Sequence, residues 1–466
     1  MIVIGAGAAG LTAAGGCAMY GLNVALIERG RMGGECLNTG CVPSKALLAA
    51  AHRAHAVRTA ARLGVMTGEP RVDFAAVNAH VQAAIVRIAP HDSRERFEAM
   101  GVDVITGEAR FVSPHGVRVG ERTLSAPRIV IATGSRPRLP EIPGLAETSH
   151  LTNETIFGLT ELPDHLVILG GGAIGVEMAQ AFRRLGAAVT LVEADRPLAH
   201  EDADADAAAL LLDTLRAEGV CIVTGTPARR IAAAGAGIEV TLGDGPTVAA
   251  SHLLVAAGRA PDLASLDLSA AGVAAGKDGI EVDARRRTSA RHIMAIGDCR
   301  AGPRLTHVAG HEGALAVRAI ALGLPTRANY SALPRAIYTE PELAQVGLTE
   351  AQARAKYGEV EVITAPFAGD DRALSEDDAA GFVKLVRARS RVVGVTIVGA
   401  HAGELLLPWS QILASRASAF ALASTVVAYP TRSEASKAAA FQSVQPLLFH
   451  PWLKRWAALL AQVRRA

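Results

Sequence analysis

Cys36 and Cys41 stand in the run Gly33-Gly34-Glu35-Cys36-Leu37-Asn38-Thr39-Gly40-Cys41-Val42-Pro43-Ser44-Lys45. Five positions apart, with Gly40 between them, two such thiols can reach the ~5.5–6 Å Cα separation that a disulfide prefers. A metal centre is the weaker reading. Plant-type iron–sulfur spacing would need a further C-x-x-C, and structural zinc would need more ligands nearby. Two unrelated buried cysteines are the bland alternative. Cys17, Cys221 and Cys299 are isolated and read as small buried side chains. Lysine is scarce: Lys45, Lys277, Lys356, Lys384, Lys437 and Lys454 are all there are, so Lys45, so near the pair, is not casual filler.

The elements that must position these residues begin at the start of the chain. Met1–Ile4 is a short apolar run suited to a buried strand. The turn Gly5-Ala6-Gly7-Ala8-Ala9-Gly10 follows, then a helix of small residues, then a strand over Asn23–Ile27 ending at Glu28. This is a dinucleotide fingerprint in its proper context. Gly5 permits the turn, Gly7 lets backbone approach a pyrophosphate, Gly10 lets helix and strand pack, and Glu28 accepts from a ribose. The unit recurs as His165–Leu169, then Gly170-Gly171-Gly172-Ala173-Ile174-Gly175, then Ala187–Val192 ending at Glu193. Gly170, Gly172 and Gly175 repeat the three glycine roles. Glu28 lies eighteen residues past Gly10, and Glu193 eighteen past Gly175. Similar segments close each copy, Ile129–Gly134 with Thr133 and Gly134, and Leu253–Gly258. Two dinucleotides are therefore expected. A dithiol beside two such sites implies electron transfer between thiols and a flavin. A carboxylate at Glu193 accepts from a 2′-OH and repels a 2′-phosphate, which favours NADH over NADPH, although Arg196 is a nearby cation.

A length of 466 residues suggests about three domains. Half the residues are apolar, a fifth are charged and the net charge is +2, which excludes wholesale disorder and gives no sign of nucleic-acid binding. Residues 1–27 are uncharged, but without a basic n-region and with glycine throughout they read as a nucleotide turn, not a signal peptide or span. An odd five cysteines argue against a disulfide-stapled secreted protein, so a cytoplasmic enzyme is expected. Ile293–Ile296 is another apolar strand, ending at Gly297-Asp298. From about Tyr330 the texture becomes α+β, with strands at Gly381–Arg387 and Val392–Gly399. Trp452–Arg465 mixes apolar and basic residues at helical spacing and is expected to be a packed terminal helix, with a membrane anchor the lesser reading.

Taken in order, the first fingerprint, C-x4-C with Val-Pro-Ser-Lys, Ala-Thr-Gly, the second fingerprint and Gly-Asp closely resemble the class I pyridine nucleotide–disulfide oxidoreductases. That family includes dihydrolipoamide dehydrogenase, glutathione reductase and mercuric reductase. The resemblance implies an α/β fold with two Rossmann-like dinucleotide-binding domains and a C-terminal α+β dimerisation domain. Residues 1–150, completed by 276–329, would hold FAD; 151–275 would hold NAD(P); 330–466 would form the homodimer and share the active site across it. By the same resemblance Cys41 is the thiol in contact with the flavin and Cys36 the one that attacks substrate. Lys45 would lie near flavin N5, paired with Glu177. Asp298 would hold the ribityl chain and the Ala109 backbone the adenine. Gly34, Thr133 and Gly134 would line the flavin nucleotide, and Gly258 the nicotinamide nucleotide.

The chain departs from the family at its C-terminal signature. Disulfide reductases carry His-Pro with a Glu four residues on, and the partner subunit's His serves the thiols as acid–base. Here the segment reads Tyr429-Pro430-Thr431-Arg432-Ser433-Glu434. A phenol with an unperturbed pKa near ~10 is no efficient base at neutral pH. His307, His311 and His450 are candidate substitutes, but nothing in the sequence brings them to the thiols. Mercuric reductases share the tyrosine, yet no cysteine follows Cys299 here to relay a metal. The expected function is mercuric-reductase-like, passing electrons to a small molecule or metal ion. Dihydrolipoamide dehydrogenase is the alternative enzyme; a redox sensor or membrane-partner module is the alternative of another class.

Overall fold

The computed structural model describes residues 1–198, 203–235 and 237–464. The short apolar runs form parallel strands buried on both faces, as strands without polar alternation must be. A five-stranded parallel sheet takes the order Ile293–Ala295, Ile129–Ile131, Ile2–Ile4, Val24–Glu28, Val102–Thr106. A second parallel sheet takes the order Cys221–Thr224, Ala188–Glu193, His165–Leu169, His252–Val255. Each lobe also carries a three-stranded antiparallel meander, Ala109–Ser113 with Gly116–Val119 and Arg122–Ser125 in the first, Ala228–Ala234 with Gly237–Leu242 and Thr247–Ala250 in the second. The fold is the α/β class expected. Between the lobes run two linking strands, Ser135–Pro137 and Arg259–Pro261, paired antiparallel.

The helix Cys41–Thr59 owes its place to packing, not propensity. Leu47, Leu48 and Ala51 share one core with Val176, Ala179 and Phe182 of the helix Ala173–Leu185, and with Ile337, Leu343 and Val398 of the third lobe. Each buried aliphatic contributes roughly 1.5–3 kcal/mol, so this shared core outweighs any single ion pair in fixing the helix. Small residues let elements approach elsewhere: a Cβ on Gly16 would meet Val317 Cγ2 at 2.5 Å.

The third lobe is a five-stranded antiparallel sheet ordered Pro334–Ile337, Glu342–Gly347, Arg391–Gly399, Phe382–Ala388, Glu361–Pro366. The fully buried Trp409 joins it to the helix Ser433–Leu448, where its Nε1 donates to Ser436 Oγ at 3.1 Å.

Two expectations are corrected here. Cys17 and Cys299 are buried, but Cys221 is exposed, because its strand is the outer one of the second sheet. The terminal helix forms over Pro451–Val463 yet buries none of its residues. The joint before it, with Leu447 and Phe449 exposed, carries it off the lobe. Among the described residues no helix is long and apolar enough to cross a membrane.

Candidate active site

The two glycine turns are built to the same dimensions. Gly5 and Gly170 adopt φ of +103° and +112°, and a Cβ on either would meet a carbonyl oxygen, of Ala132 or Ala256, at 2.4 Å. A Cβ on Gly10 would strike the Gly5 oxygen at 1.8 Å, and one on Gly175 the Gly170 oxygen at 1.9 Å. Gly7 and Gly172 begin the following helices with nearly the same extended backbone, the arrangement that receives phosphates. The acids close the turns. Glu28 accepts from the N–H groups of Ala6 and Gly30 at 2.6 and 2.7 Å. Glu193 accepts from Gly171 and Asp195 at 2.7 and 3.0 Å. A carboxylate retains further lone pairs for ribose hydroxyls. These paired cradles fit two dinucleotides.

Around the first cradle, Gly34 abuts the turn so tightly that a Cβ there would lie 2.6 Å from Gly7 Cα. That contact ties the nucleotide turn to the short helix Gly34–Asn38 that carries Cys36. Thr133 Oγ1 donates to the Asp262 carbonyl at 2.8 Å, and the Gly134 carbonyl accepts from Asp262 N at 3.2 Å. Ala109 is buried at the start of its meander strand, opposite Val119. In the second lobe the Gly258 carbonyl accepts from Arg138 N at 3.0 Å.

Both thiols of the pair are free, and they hydrogen-bond one another. Cys41 is the first residue of its helix, where the helix dipole favours a thiolate. Its Sγ lies 3.2 Å from Thr306 Oγ1, and Thr306 is itself the first residue of the helix Thr306–Ile320. The bond from Cys36, against the cost of burial and with help from Thr306 and Lys45, brings the Cys41 thiol down to about 6. Cys36 moves the other way, raised by the same bond, by burial and by the Cys41 charge. The surroundings therefore favour the charge on Cys41 and the proton on Cys36.

Lys45, one turn along the helix, donates from Nζ to Glu177 Oε2 at 2.7 Å and lies 4.3 Å from the centre of the Tyr338 ring. The other Glu177 oxygen accepts from Tyr338 N at 3.0 Å. Glu177 is buried, and both of its oxygens have hydrogen-bond partners.

A chain of polar groups, of which the sequence pointed only to Asp298, connects Asn153 through Glu35, beside Cys36, to that acid. Asn153 Nδ2 donates to Glu35 Oε1 at 2.8 Å, and Arg259 Nη2 pairs with Glu35 Oε2. Arg259 Nε donates to Ser135 Oγ at 2.8 Å, which donates to Asp298 Oδ2 at 3.0 Å. Burial pushes Glu35 up to about 7 against the pull of Arg259, and raises Asp298 as well. Glu35 stands inside the cysteine run and passed for a spacer; Arg259 directly follows Gly258. Thr306 had no signal at all.

Tyr429 and Glu434 are not brought to the thiols of their own chain. Tyr429 is 71% exposed and donates to Asp371 Oδ2 at 2.9 Å, a bond that raises its pKa further. Glu434 lies in the first turn of Ser433–Leu448. Of the histidines, His307 follows Thr306 but its Nε2 meets the Pro334 carbonyl at 2.9 Å, and burial lowers its pKa. His311 is exposed, and His450 caps the terminal helix. Among the described residues no cluster of three metal-ligating side chains occurs.

Residues 1–313 match the model of the family described as pyridine nucleotide-disulphide oxidoreductase, and 333–440 match that family's dimerisation domain. The chain is 34% identical over 450 residues to a dihydrolipoyl dehydrogenase of Geobacillus stearothermophilus, covering 94% of this chain and 95% of the relative. It is 35% identical over 453 residues to a mercuric reductase of Streptomyces lividans, with the same shares covered. The crystal structure of an HOCl-induced flavoprotein disulfide reductase from Escherichia coli superposes with a TM-score of 0.85 at 29% identity, covering 94% of this chain and 98% of that one.

Proposed function

Because the chain belongs to the pyridine nucleotide-disulphide oxidoreductase family, whose members depend on FAD and NAD(P)H, we propose that it is an NADH-dependent reductase delivering electrons through Cys36 and Cys41 to an acceptor that needs no protein base. FAD held by the first cradle would supply the two-electron link between nicotinamide and the thiol pair. The balance is simple: two electrons and one proton break the S–S bond and leave a Cys41 thiolate and a Cys36 thiol. The placement of Cys41 at a helix start, with its Sγ 3.2 Å from Thr306 Oγ1, favours the charge on Cys41 and is the observation that supports this division of labour. Lys45, ion-paired with Glu177, supplies the cation beside the thiolate; Asp298 and Ser135 are the groups proposed to orient the ribityl chain.

The dimerisation domain supports a homodimer. In it, Tyr429 and Glu434 are proposed to face the partner's thiols. A phenol there donates a hydrogen bond, or meets a soft metal ion as an oxygen ligand, without taking a proton at pH 7. This favours a mercuric-reductase-like acceptor chemistry over dihydrolipoamide oxidation, in which two thiols must be deprotonated. The second reading, a dihydrolipoamide dehydrogenase, is supported by the retained Pro430 and Glu434. Anaerobic NADH titration of the flavin, followed by turnover with Hg²⁺, disulfides, quinones, reactive halogen species and dihydrolipoamide, separates the two. Dihydrolipoamide oxidation at roughly 10 s⁻¹ or more, an ordinary enzyme rate, would overturn the first.

A further inference from the structure

The helix Pro451–Val463 is amphipathic and, in this chain, uncovered. Trp452, Trp456, Leu459 and Val463 follow the spacing of a single helical stripe, and they are 60%, 53%, 51% and 65% exposed. Phe441, Leu447 and Phe449 extend the exposed apolar surface through the joint before it. The charge around this surface is segregated. Beyond Glu434 the sequence has no acidic residue but carries Lys437, Lys454, Arg455, Arg464 and Arg465, whereas the 434 residues before it hold 42 basic and 45 acidic side chains. On a helical wheel Lys454 falls opposite the tryptophan stripe, and Arg455 borders it, roughly 60° from Trp452. The helix also lies beyond the residues matched by the dimerisation model.

We propose that this helix docks the enzyme on an anionic lipid bilayer, lying in the headgroup region with its tryptophan stripe inward and its cations toward lipid phosphates. A groove on another protein would also take an apolar stripe, but a segment wholly without acids, with two tryptophans on its apolar stripe and cations beside it, fits the bilayer boundary. The helix lies on the bilayer and does not span it: its 13 residues measure about 20 Å, against a hydrocarbon core of about 30 Å. Lys454 and Arg455 in the helix, with Arg464 and Arg465 directly after it in sequence, supply the attraction that one apolar stripe lacks. The inference does not depend on which acceptor the thiols reduce.

The test is flotation of the full-length, FAD-loaded protein with phosphatidylcholine vesicles, with and without phosphatidylglycerol. The protein should float with the anionic vesicles, stay behind with the neutral ones, and be released by high salt. Trp452 and Trp456 emission should shift to the blue on binding. Leu459→Asp, and separately the pair Lys454→Glu with Arg455→Glu, should each lower the vesicle-bound fraction by roughly tenfold or more while NADH still reduces the flavin at the wild-type rate. Failure to float on anionic vesicles at low salt overturns the proposal, as does flotation that survives Leu459→Asp. So does a Leu459→Asp protein that sediments as a monomer where wild type is a dimer, because the stripe would then be the cover of a second copy.

Discussion

Cys41 Sγ and Thr306 Oγ1 meet at 3.2 Å across the first residues of two helices whose starts lie 265 residues apart in sequence. After the bond from Cys36, Thr306 is the strongest side-chain aid to the Cys41 thiolate. Hydrogen bonds to charged groups are worth about 1.5–3 kcal/mol, so Thr306→Ala should raise the Cys41 pKa from about 6 by roughly one to two units. The thiolate exists above its pKa, so at neutral pH the variant should lose most of it. The pH dependence of iodoacetamide alkylation in the reduced enzyme reads this directly; Thr306→Ser should behave as wild type, and an unmoved midpoint in Thr306→Ala would refute the assignment.

Two-electron reduction should produce a long-wavelength absorbance from Cys41 thiolate against the flavin. Cys41→Ser should abolish the band and keep FAD bound. A band that persists in this variant removes Cys41 from the role of donor.

Glu193 Oε1 and Oε2 both accept from backbone N–H groups of the second cradle; in the role proposed for it, this carboxylate accepts from a ribose 2′-OH and disfavours a 2′-phosphate. Arg196, three residues on, is exposed. The enzyme should have a kcat/KM for NADH at least roughly tenfold above that for NADPH, and Glu193→Gln should narrow the ratio. Equal values in wild type would show that Arg196 reads the phosphate instead.

Lys45→Met leaves the Glu177 carboxylate buried without its cation. Breaking a buried pair from one side costs about 3–5 kcal/mol; because the Lys45 side chain is 36% exposed, solvent screening reduces this to about 2 kcal/mol. Urea unfolding of the flavin-free protein should show that loss, and Glu177→Gln added to Lys45→Met should recover part of it. If the double variant is weaker still, Glu177 contributes through Tyr338 and not through Lys45.

Tyr429→His should raise dihydrolipoamide turnover by about 10²–10⁴-fold if the absent base is what slows it. Glu434 would then orient the imidazole. If wild type and variant are equally slow, the pocket excludes the substrate and the lost histidine is a consequence of that exclusion.

The parts of this molecule that were legible in sequence are those where backbone geometry admits few residues. The cradles require glycine at Gly5, Gly10, Gly170 and Gly175, and the acids that close them must end the second strand of each unit, so spacing alone located Glu28 and Glu193. Lys45 and Glu177 came from resemblance, since nothing local links residues 132 positions apart. Thr306 and Arg259 were illegible for the same reason: any polar residue could begin a helix or follow a strand, and their meaning arises only where lobes meet. Periodicity revealed the terminal helix but not its surroundings, because an apolar stripe looks the same whether covered by protein or bare.

The polar chain from Asn153 through Glu35, Arg259 and Ser135 to Asp298 also governs motion. Arg259 and Ser135 sit on the two linking strands and Glu35 on the thiol-bearing helix, so any hinge between lobes at those strands must first pull a guanidinium from a half-buried carboxylate. Rotation of one lobe over the other is thereby made costly, and the path length from Asp298 to the sulfurs becomes a constant of the fold.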